Sequence, residues 1–274
     1  MTSYYASDSA VKQFLDNPSM NDQGGLAFAY GTDPAALAKL VPAPLKLAAP
    51  VVVGYVVKMN KPNFGPAYLE QTLYALVSYK DKLMGAYPFE LLLAGPGAEA
   101  GMVAGREGAG IPKKLADDIQ LTRDGNTAHA SVTRHGTKVL DLNWTAGDIN
   151  EPSFLPQFAQ MMPLNQAVEM NSFFINYDLE QAQDGSNHFI NTSLVTTQMT
   201  SFTDQLEPGK LDLTLASSID DPLNELPVLK PLGAGWYHFK TSVMHNTLHL
   251  EDLDPAKAAP YLLTGRFDHE AYTK

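Results

Sequence analysis

The 274-residue sequence contains no cysteine. Without thiols, the chain has no disulfide framework, no thiolate metal site and no cysteine nucleophile. No run of about 18 apolar residues is present, so the pattern predicts no membrane-spanning helix. The stretch from Met1 to Leu15 lacks the basic region and the long apolar run of a secretory signal. We therefore expect a cytoplasmic protein.

Basic residues are also scarce, since 19 Lys and Arg stand against 30 Asp and Glu, a formal net charge of −11. The longest basic run is Lys113-Lys114, so neither a nucleic acid nor an acidic membrane surface is expected as a partner. Motifs for phosphate binding and for serine hydrolases are missing. His245 and His249 have a spacing that binds metal on a helix, but their segment alternates like a strand. We expect no metal and no cofactor.

Helix signals are few and lie mostly near the ends of the chain. Apolar residues at helical spacing predict a short helix over residues 7–16. Asp33-Pro34 is typical of an N-cap followed by proline at the first helical position, which predicts a helix over 33–41. A last helix is expected over 255–264, broken at Pro260.

The remaining pattern is typical of β-strands rich in β-branched and aromatic residues. Asp124-Gly125 and His135-Gly136 predict the turns of a three-strand meander within residues 116–144. Further strands are expected at 50–59, 67–79, 87–94, 188–202, 211–217 and 236–250. Strands and helices do not alternate regularly, which argues against a parallel sheet. We expect one α+β domain over residues 1–274, mainly an antiparallel sheet that closes or folds over itself.

The most informative segment is 104–118, where Lys113 and Lys114 follow Pro112 between Gly, Ala, Ile and Leu residues. If this pair faces a pocket, burial and the second positive charge both favour a neutral amine on one lysine. A neutral amine can attack a ketone and form an imine. The alternative is two solvated lysines at the start of a strand or helix.

Four segments share the order and spacing of a family signature. They are Tyr30-Gly31-Thr32-Asp33 followed by Leu40-Val41-Pro42 and Pro44-Leu45, then Tyr68-Leu69-Glu70, then Gly105-Arg106-Glu107 with Ile111-Pro112-Lys113-Lys114-Leu115, and Asp221-Pro222-Leu223-Asn224-Glu225-Leu226-Pro227-Val228. Together these segments resemble the acetoacetate decarboxylase family over about residues 24 to 250.

The resemblance implies both a fold and a set of site residues. The family fold is an antiparallel sheet closed into a cone or barrel with short flanking helices, and its members form homo-oligomers. By this resemblance Lys113 forms the imine, Lys114 is its charged neighbour, and Glu70 is the acid that moves protons. The structural alternative for Glu70 is an ion pair with Lys114 or Arg106.

Three positions depart from the family pattern. Gln23 stands where the family has an arginine, Tyr55 where it has a glutamate, and Ile111 where it usually has an aromatic residue. Glutamine offers a neutral donor instead of a bidentate guanidinium, so we expect a weaker grip on a substrate carboxylate. Arg106 is another candidate partner for that carboxylate.

These residues predict a carbon–carbon lyase that acts on a small oxo acid through a lysine imine. Because the carboxylate-handling groups differ, we favour aldol addition or cleavage with dehydration on pyruvate-like substrates, with an aldehyde as the co-substrate of the addition. Decarboxylation of a β-keto acid such as acetoacetate is the alternative. A second alternative is a small-molecule binding protein without turnover, in which Lys113 is only a charge partner.

Overall fold

The structure is a computed structural model that describes residues 4–273. Its strands are β1 (Met20–Gly31), β2 (Leu45–Pro62), β3 (Tyr68–Tyr79), β4 (Leu83–Ala94), β5 (Lys114–Leu115), β6 (Asp118–Asp124), β7 (Thr127–Arg134), β8 (Thr137–Ala146), β9 (Gln166–Gln181), β10 (Asn187–Leu215) and β11 (Lys230–Asp252). Its α-helices are α1 (Asp8–Phe14), α2 (Pro34–Lys39), α3 (Ala98–Ala109), α4 (Leu155–Met161) and α5 (Pro255–Thr264). None of the helices in this range has the length and apolar character to cross a membrane.

Local signals in the sequence explain several element boundaries. The Asp33 side chain accepts a hydrogen bond from the Ala36 N–H at 2.8 Å and caps α2, as predicted. His135 and Gly136 both have positive φ, 49° and 71°, and turn the chain between β7 and β8. The three-strand meander is therefore confirmed as β6, β7 and β8.

Seven strands form a closed ring. The order around it is β11, β1, β2, β3, β4, β9 and β10, and β10 pairs back onto β11. All neighbours are antiparallel except β4 and β9, which meet at a single parallel bridge between Ala86 and Ser172. The meander continues from β10 through β8. The predicted mainly antiparallel sheet with short helices is confirmed, as a ring of strands.

Strand alternation places most of the buried apolar residues in two cores on opposite faces of the sheet, and a small third cluster of Ile175, Ala258 and Leu262 lies beside α5. The first core joins ring strands to the meander and includes Leu26, Phe28, Val56, Leu73, Leu92, Ile119, Val132, Leu142 and Trp144. The second core includes Val57, Met59, Tyr68, Leu91, Leu93, Ile111, Phe174, Tyr237 and Phe239. Leu91 and Leu93 thus point away from Leu92, and it is the second core that surrounds the candidate site.

The structure differs from the sequence expectations at several elements. Strands β1 and β9 and helix α3 were not predicted, and the two strands expected at 188–202 and 211–217 form the single strand β10. Three glycines in α3 lower its helix propensity, which hides it from pattern analysis. The expected break at Pro260 is wrong, because α5 continues through this exposed position.

We expect Leu73→Ala to destabilise the protein by about 2–5 kcal/mol, because it leaves a cavity in the first core. Leu73 is fully buried, whereas Leu229 is 65% exposed. Leu229→Ala is therefore the matched control, with an expected change below about 0.5 kcal/mol. Urea unfolding measures both, and equal losses in the two variants would contradict the assignment of Leu73 to the core.

Candidate active site

Lys113 lies at the end of a tight connection between α3 and β5. Helix α3 ends at Gly110, whose φ is 65°, and the chain then enters β5 beside β4. The Lys113 side chain is buried, and its Nζ donates a hydrogen bond to Glu70 Oε2 at 3.1 Å. A Cβ at Gly105 would lie 2.6 Å from Lys113 Cε, so this glycine leaves room for the lysine.

Glu70 lies on β3, and both of its carboxylate oxygens have partners. Lys113 occupies Oε2, and the Tyr55 hydroxyl donates to Oε1 at 2.5 Å. The Tyr74 hydroxyl donates in turn to Tyr55 at 3.4 Å. A buried ion pair is sustained only where further hydrogen bonds satisfy its remaining atoms, and these phenols supply one such bond. Alternation along β3 places Glu70 on the same face of the strand as Tyr68, Thr72 and Tyr74.

Four tyrosines close around the ion pair. Burial raises the pKa of Tyr55 well above its usual range, and the negative charge of Glu70 raises it further. Burial likewise raises the pKa values of Tyr68, Tyr74 and Tyr237. All four phenols therefore stay protonated at neutral pH.

Gln23 lies beside this cluster, on β1. Its side chain is buried, and Nε2 donates to the Tyr237 hydroxyl at 2.5 Å. The charge of Glu70 contributes to the raised pKa of Tyr237, which links this pair electrostatically to the site. The structure thus brings together Lys113, Glu70 and Tyr55, with Gln23 one hydrogen bond behind Tyr237. Gln23 and Tyr237 therefore form a neutral, hydrogen-bonded pair at this position.

Lys114 points to the opposite side of the sheet from Lys113. It pairs with Asp221, its Nζ donates to the Asp220 carbonyl at 3.1 Å, and it lies 3.5 Å from Asp268 Oδ1. The expectation of Lys114 as the charged neighbour in the pocket therefore differs from the structure. Successive residues of an extended segment face opposite ways, and a nearby carboxylate offsets the second charge.

Arg106 also lies outside the group around Lys113. Its guanidinium stacks over the Phe267 ring at 5.0 Å, and Nη1 lies 3.7 Å from Met102 Sδ. It forms no hydrogen bond or ion pair with Glu70 or Lys113 among the described contacts. The ion-pair partner of Glu70 is Lys113. The ion pair with Lys114 or Arg106 that the structural alternative expected is not formed among the described residues.

The sequence named Tyr68 and Gly105 as motif positions but assigned neither a role in the site. Tyr68 places its ring 5.8 Å from Lys113 Nζ, and Gly105 supplies the space for that side chain. Alternation along β3 could have indicated Tyr68, two residues before Glu70. The role of Gly105 could not be predicted, because it depends on the packing of α3 against the lysine.

The histidine pair singled out in the sequence lies on β11 as an ordinary strand pair. His245 contacts Thr200 Oγ1 at 2.6 Å, and His249 contacts Asp252 at 2.8 Å. Three other residues each place one potential metal-ligand atom within 4.8 Å of the other two: His135, Asp220 and Asp268. Their oxygens already take part in ion pairs with histidine and arginine.

Glu90 is a second buried carboxyl, on the Lys114 side of β4. Burial raises its pKa to about 8, and the negative charge of Asp221 acts in the same direction. Lys114 and Arg134 oppose the shift. Glu90 is therefore largely protonated at neutral pH, and it belongs to a charge network that is separate from the Lys113–Glu70 pair.

Comparison with known proteins gives a family and a close relative. A family model described as acetoacetate decarboxylase (ADC) matches residues 2–253. A protein named CLA biosynthesis isomerase, from Lactiplantibacillus plantarum, is 61% identical over 272 residues, which are 99% of this chain and 97% of that protein. The match spans nearly the full length of both chains.

Two solved structures share the fold. Acetoacetate decarboxylase from Legionella pneumophila subsp. pneumophila gives a TM-score of 0.72 at 17% identity, covering 92% of this chain and 99% of that one. The second is the enduracididine biosynthesis enzyme MppR, complexed with the condensation product of pyruvate and imidazole 4-carboxaldehyde. It gives a TM-score of 0.67 at 14% identity, and the match covers 92% of this chain and 97% of that one. At these identities the likeness shows the fold alone.

We expect Glu90→Gln to flatten the pH dependence of stability between about pH 5 and 8. Between the unfolded carboxyl pKa, about 4.3, and the folded value of about 8, the native protein holds a proton that the unfolded chain releases. Stability from this group therefore falls as pH rises through that window.

The measurement is the urea midpoint at several pH values for the native protein, Glu90→Gln and the exposed control Glu169→Gln. The control should keep the native slope. If the Glu90→Gln slope equals that of the native protein, Glu90 does not hold a proton at neutral pH.

Proposed function

The chain belongs to the acetoacetate decarboxylase family, and we propose that it is an enzyme in which Lys113 forms an imine with a ketone substrate. Glu70 moves protons at the carbon next to that imine. The observation that carries this proposal is the buried Lys113–Glu70 pair at 3.1 Å, capped by the Tyr55 hydroxyl. A buried ammonium and carboxylate in contact can exchange a proton without solvent.

Imine formation follows from that contact. The ammonium of Lys113 passes a proton to Glu70, and the neutral amine attacks the carbonyl carbon of the ketone. A proton shifts from the attacking nitrogen to the oxygen and gives the neutral carbinolamine. Glu70 then returns its proton to the carbinolamine hydroxyl, which leaves as water, and an iminium remains on Lys113. The neighbouring phenols of Tyr55 and Tyr74 stay protonated, so they donate hydrogen bonds throughout and do not compete as bases.

The iminium acidifies the adjacent carbon, and Glu70 is placed to remove a proton there. With a β,γ-unsaturated ketone, proton loss gives a dienamine, and reprotonation at the γ-carbon moves the double bond into conjugation. Hydrolysis then releases Lys113 and an α,β-unsaturated ketone. This isomerisation is the reaction we favour, supported by the isomerase name of the 61% identical relative.

The neutral surroundings of the pair also favour a reaction without carbon dioxide loss. Gln23 is engaged by Tyr237, and Arg106 lies against Phe267 and Met102. No guanidinium among the described side chains contacts the pair to bind a carboxylate on the reacting carbon. The apolar second core instead suits a substrate with a hydrocarbon substituent.

Aldol addition with dehydration on a pyruvate-like substrate is the second candidate. Glu70 removes a proton from the methyl carbon of the pyruvate iminium, and the resulting enamine attacks an aldehyde carbon. Glu70 gives its proton to the new alkoxide, removes a second proton from the adjacent carbon, and returns that proton to the hydroxyl, which leaves as water. Its support is the neutral Gln23–Tyr237 pair, which leaves the carboxylate of an α-oxo acid undisturbed. Decarboxylation and ligand binding without turnover are the remaining alternatives. The first predicts release of carbon dioxide, and the second predicts no product.

We expect borohydride to trap a ketone on Lys113. Incubation with acetoacetate, pyruvate or a simple aliphatic ketone, followed by reduction, should add the mass of one reduced substrate to the intact protein. Peptide mapping should place the addition at Lys113, and Lys113→Ala should abolish it. The control is Lys58→Ala, an exposed lysine on β2. Addition to Lys113→Ala at the native level would overturn the assignment.

We expect Glu70→Gln to keep imine trapping and to lose proton transfer. Imine formation becomes slower because Glu70 no longer relays the proton, but solvent can still exchange protons with the amine, so the trapped adduct still accumulates over a long incubation. Deuterium exchange at the carbon beside the ketone should fall by about a hundredfold or more, because the base is gone. Nuclear magnetic resonance in heavy water measures the exchange, and unchanged exchange would leave Glu70 with only a structural role.

The same preparations separate the candidate reactions. Native protein should convert a β,γ-unsaturated ketone into its conjugated isomer, seen by ultraviolet absorbance, and Glu70→Gln should not. A condensation product from pyruvate and an aldehyde would favour the second candidate. Carbon dioxide release from acetoacetate at about 10 per second would establish decarboxylation instead.

A further inference from the structure

The segment Gly265–His269 follows helix α5 and packs against the connection that carries Lys113. It lies after residue 253, where the match to the family model ends. The connection, residues 110–114, runs from the end of α3 to the start of β5. Three separate contacts join the two segments, and two of them involve the immediate neighbours of Lys113.

The first contact is between Gly265 and Pro112. A Cβ on Gly265 would lie 2.5 Å from Pro112 Cβ, so the Pro112 ring leaves no space for a side chain at position 265. The φ of Gly265 is −90°, a conformation that other residues adopt readily. The glycine is therefore required by the closeness of Pro112 and not by the backbone geometry.

The second contact is made by Arg266, a buried guanidinium. Its Nη2 donates to the Gly110 carbonyl and lies 3.5 Å from the Ile175 carbonyl, and Nη1 donates to the Tyr261 carbonyl at 3.2 Å. A rigid fork of donors can serve several carbonyls at once. Arg266 thereby ties the end of α3 to β9 and to α5.

The third contact places Asp268 at the other neighbour of the catalytic lysine. Asp268 Oδ1 lies 3.5 Å from Lys114 Nζ and accepts from Arg134 Nη2 at 2.5 Å. Arg134 also binds Asp221, the main partner of Lys114. The side chain of Lys114 is thus held on the opposite face of the sheet from Lys113 by Asp221 and Asp268. Arg134 of the meander pairs with both carboxylates.

We propose that residues 265–269 form a clamp that sets the position of Lys113 beside Glu70, with Gly265, Arg266 and Asp268 as positioning residues. The proposal rests on the proposed imine function of Lys113. Gly265 packs against Pro112, and Asp268 lies near the Lys114 ammonium, so both neighbours of Lys113 are contacted by this segment. A nucleophile that is displaced by about 1 Å can lose about a hundredfold in rate.

The test compares Gly265→Ala with Gly108→Ala. Each adds one methyl group at a glycine, but the first meets Pro112 and the second meets nothing within 4 Å. The readout is borohydride trapping of a simple ketone, analysed as the trapped fraction, the saturating rate constant and the half-saturating ketone concentration. A merely structural loss lowers the trapped fraction, whereas displacement of Lys113 lowers the rate constant.

We expect the Gly265→Ala rate constant to fall about tenfold, with half-saturation within about twofold of the native value, and Gly108→Ala to match the native protein. Asp268→Asn keeps an acceptor for Arg134 but removes the charge beside Lys114, so a smaller fall in the same constant is expected. It also provides a second variant if Gly265→Ala does not fold. Rate constants equal to the control in both variants would overturn the clamp.

A ketone-independent measurement separates this proposal from the function on which it rests. Acetic anhydride acetylates neutral amines, and mass spectrometry gives the rate at Lys113 relative to exposed Lys58. If native protein traps no ketone, the imine function fails, and the acetylation rate then decides the clamp alone. An altered relative rate at Lys113 in Gly265→Ala supports the clamp, and an unaltered rate refutes it.

Discussion

The contact between the Lys113 ammonium and the Glu70 carboxylate is the constraint to which the surrounding structure is fitted. Removing two charges from water costs several kcal/mol per ion unless close partners offset the loss. Tyr55 supplies a hydrogen bond to the free carboxylate oxygen, and Gly105 leaves space for the lysine chain. The phenols around the pair are neutral, so they introduce no charge that competes with the Lys113–Glu70 attraction.

The sheet keeps this pair apart from a second, larger charge network. Lys114 follows Lys113 directly, yet the alternation of an extended chain sends it to the opposite face. There Asp221 and Asp268 offset its charge, and Glu90 retains a proton beside them. Lys113 is therefore buried without an unpaired second ammonium beside it. The second network anchors the backbone, while the first holds the groups suited to chemistry.

The imine proposed for Lys113 would serve several reactions, and the side chains around the Lys113–Glu70 pair bear on which of them occurs. Gln23 and Tyr237 form a neutral pair where a carboxylate-binding cation would be expected in the family pattern. A site of this kind suits proton movement along a ketone better than carboxylate loss. The isomerase name of the full-length relative and the decarboxylase name of the family are compatible with one enamine chemistry that ends in different products.

The sequence by itself determined the strand character of the chain, the meander turns and the α2 cap. These features depend on local propensity and on period-two alternation, which neighbouring residues carry. The motif segments also identified the family. Tertiary structure decided the elements without local signals, such as the glycine-containing helix α3, and the closure of β10 onto β11. It also decided the partners of Lys113, Lys114 and Gln23, because those contacts join residues far apart in the chain.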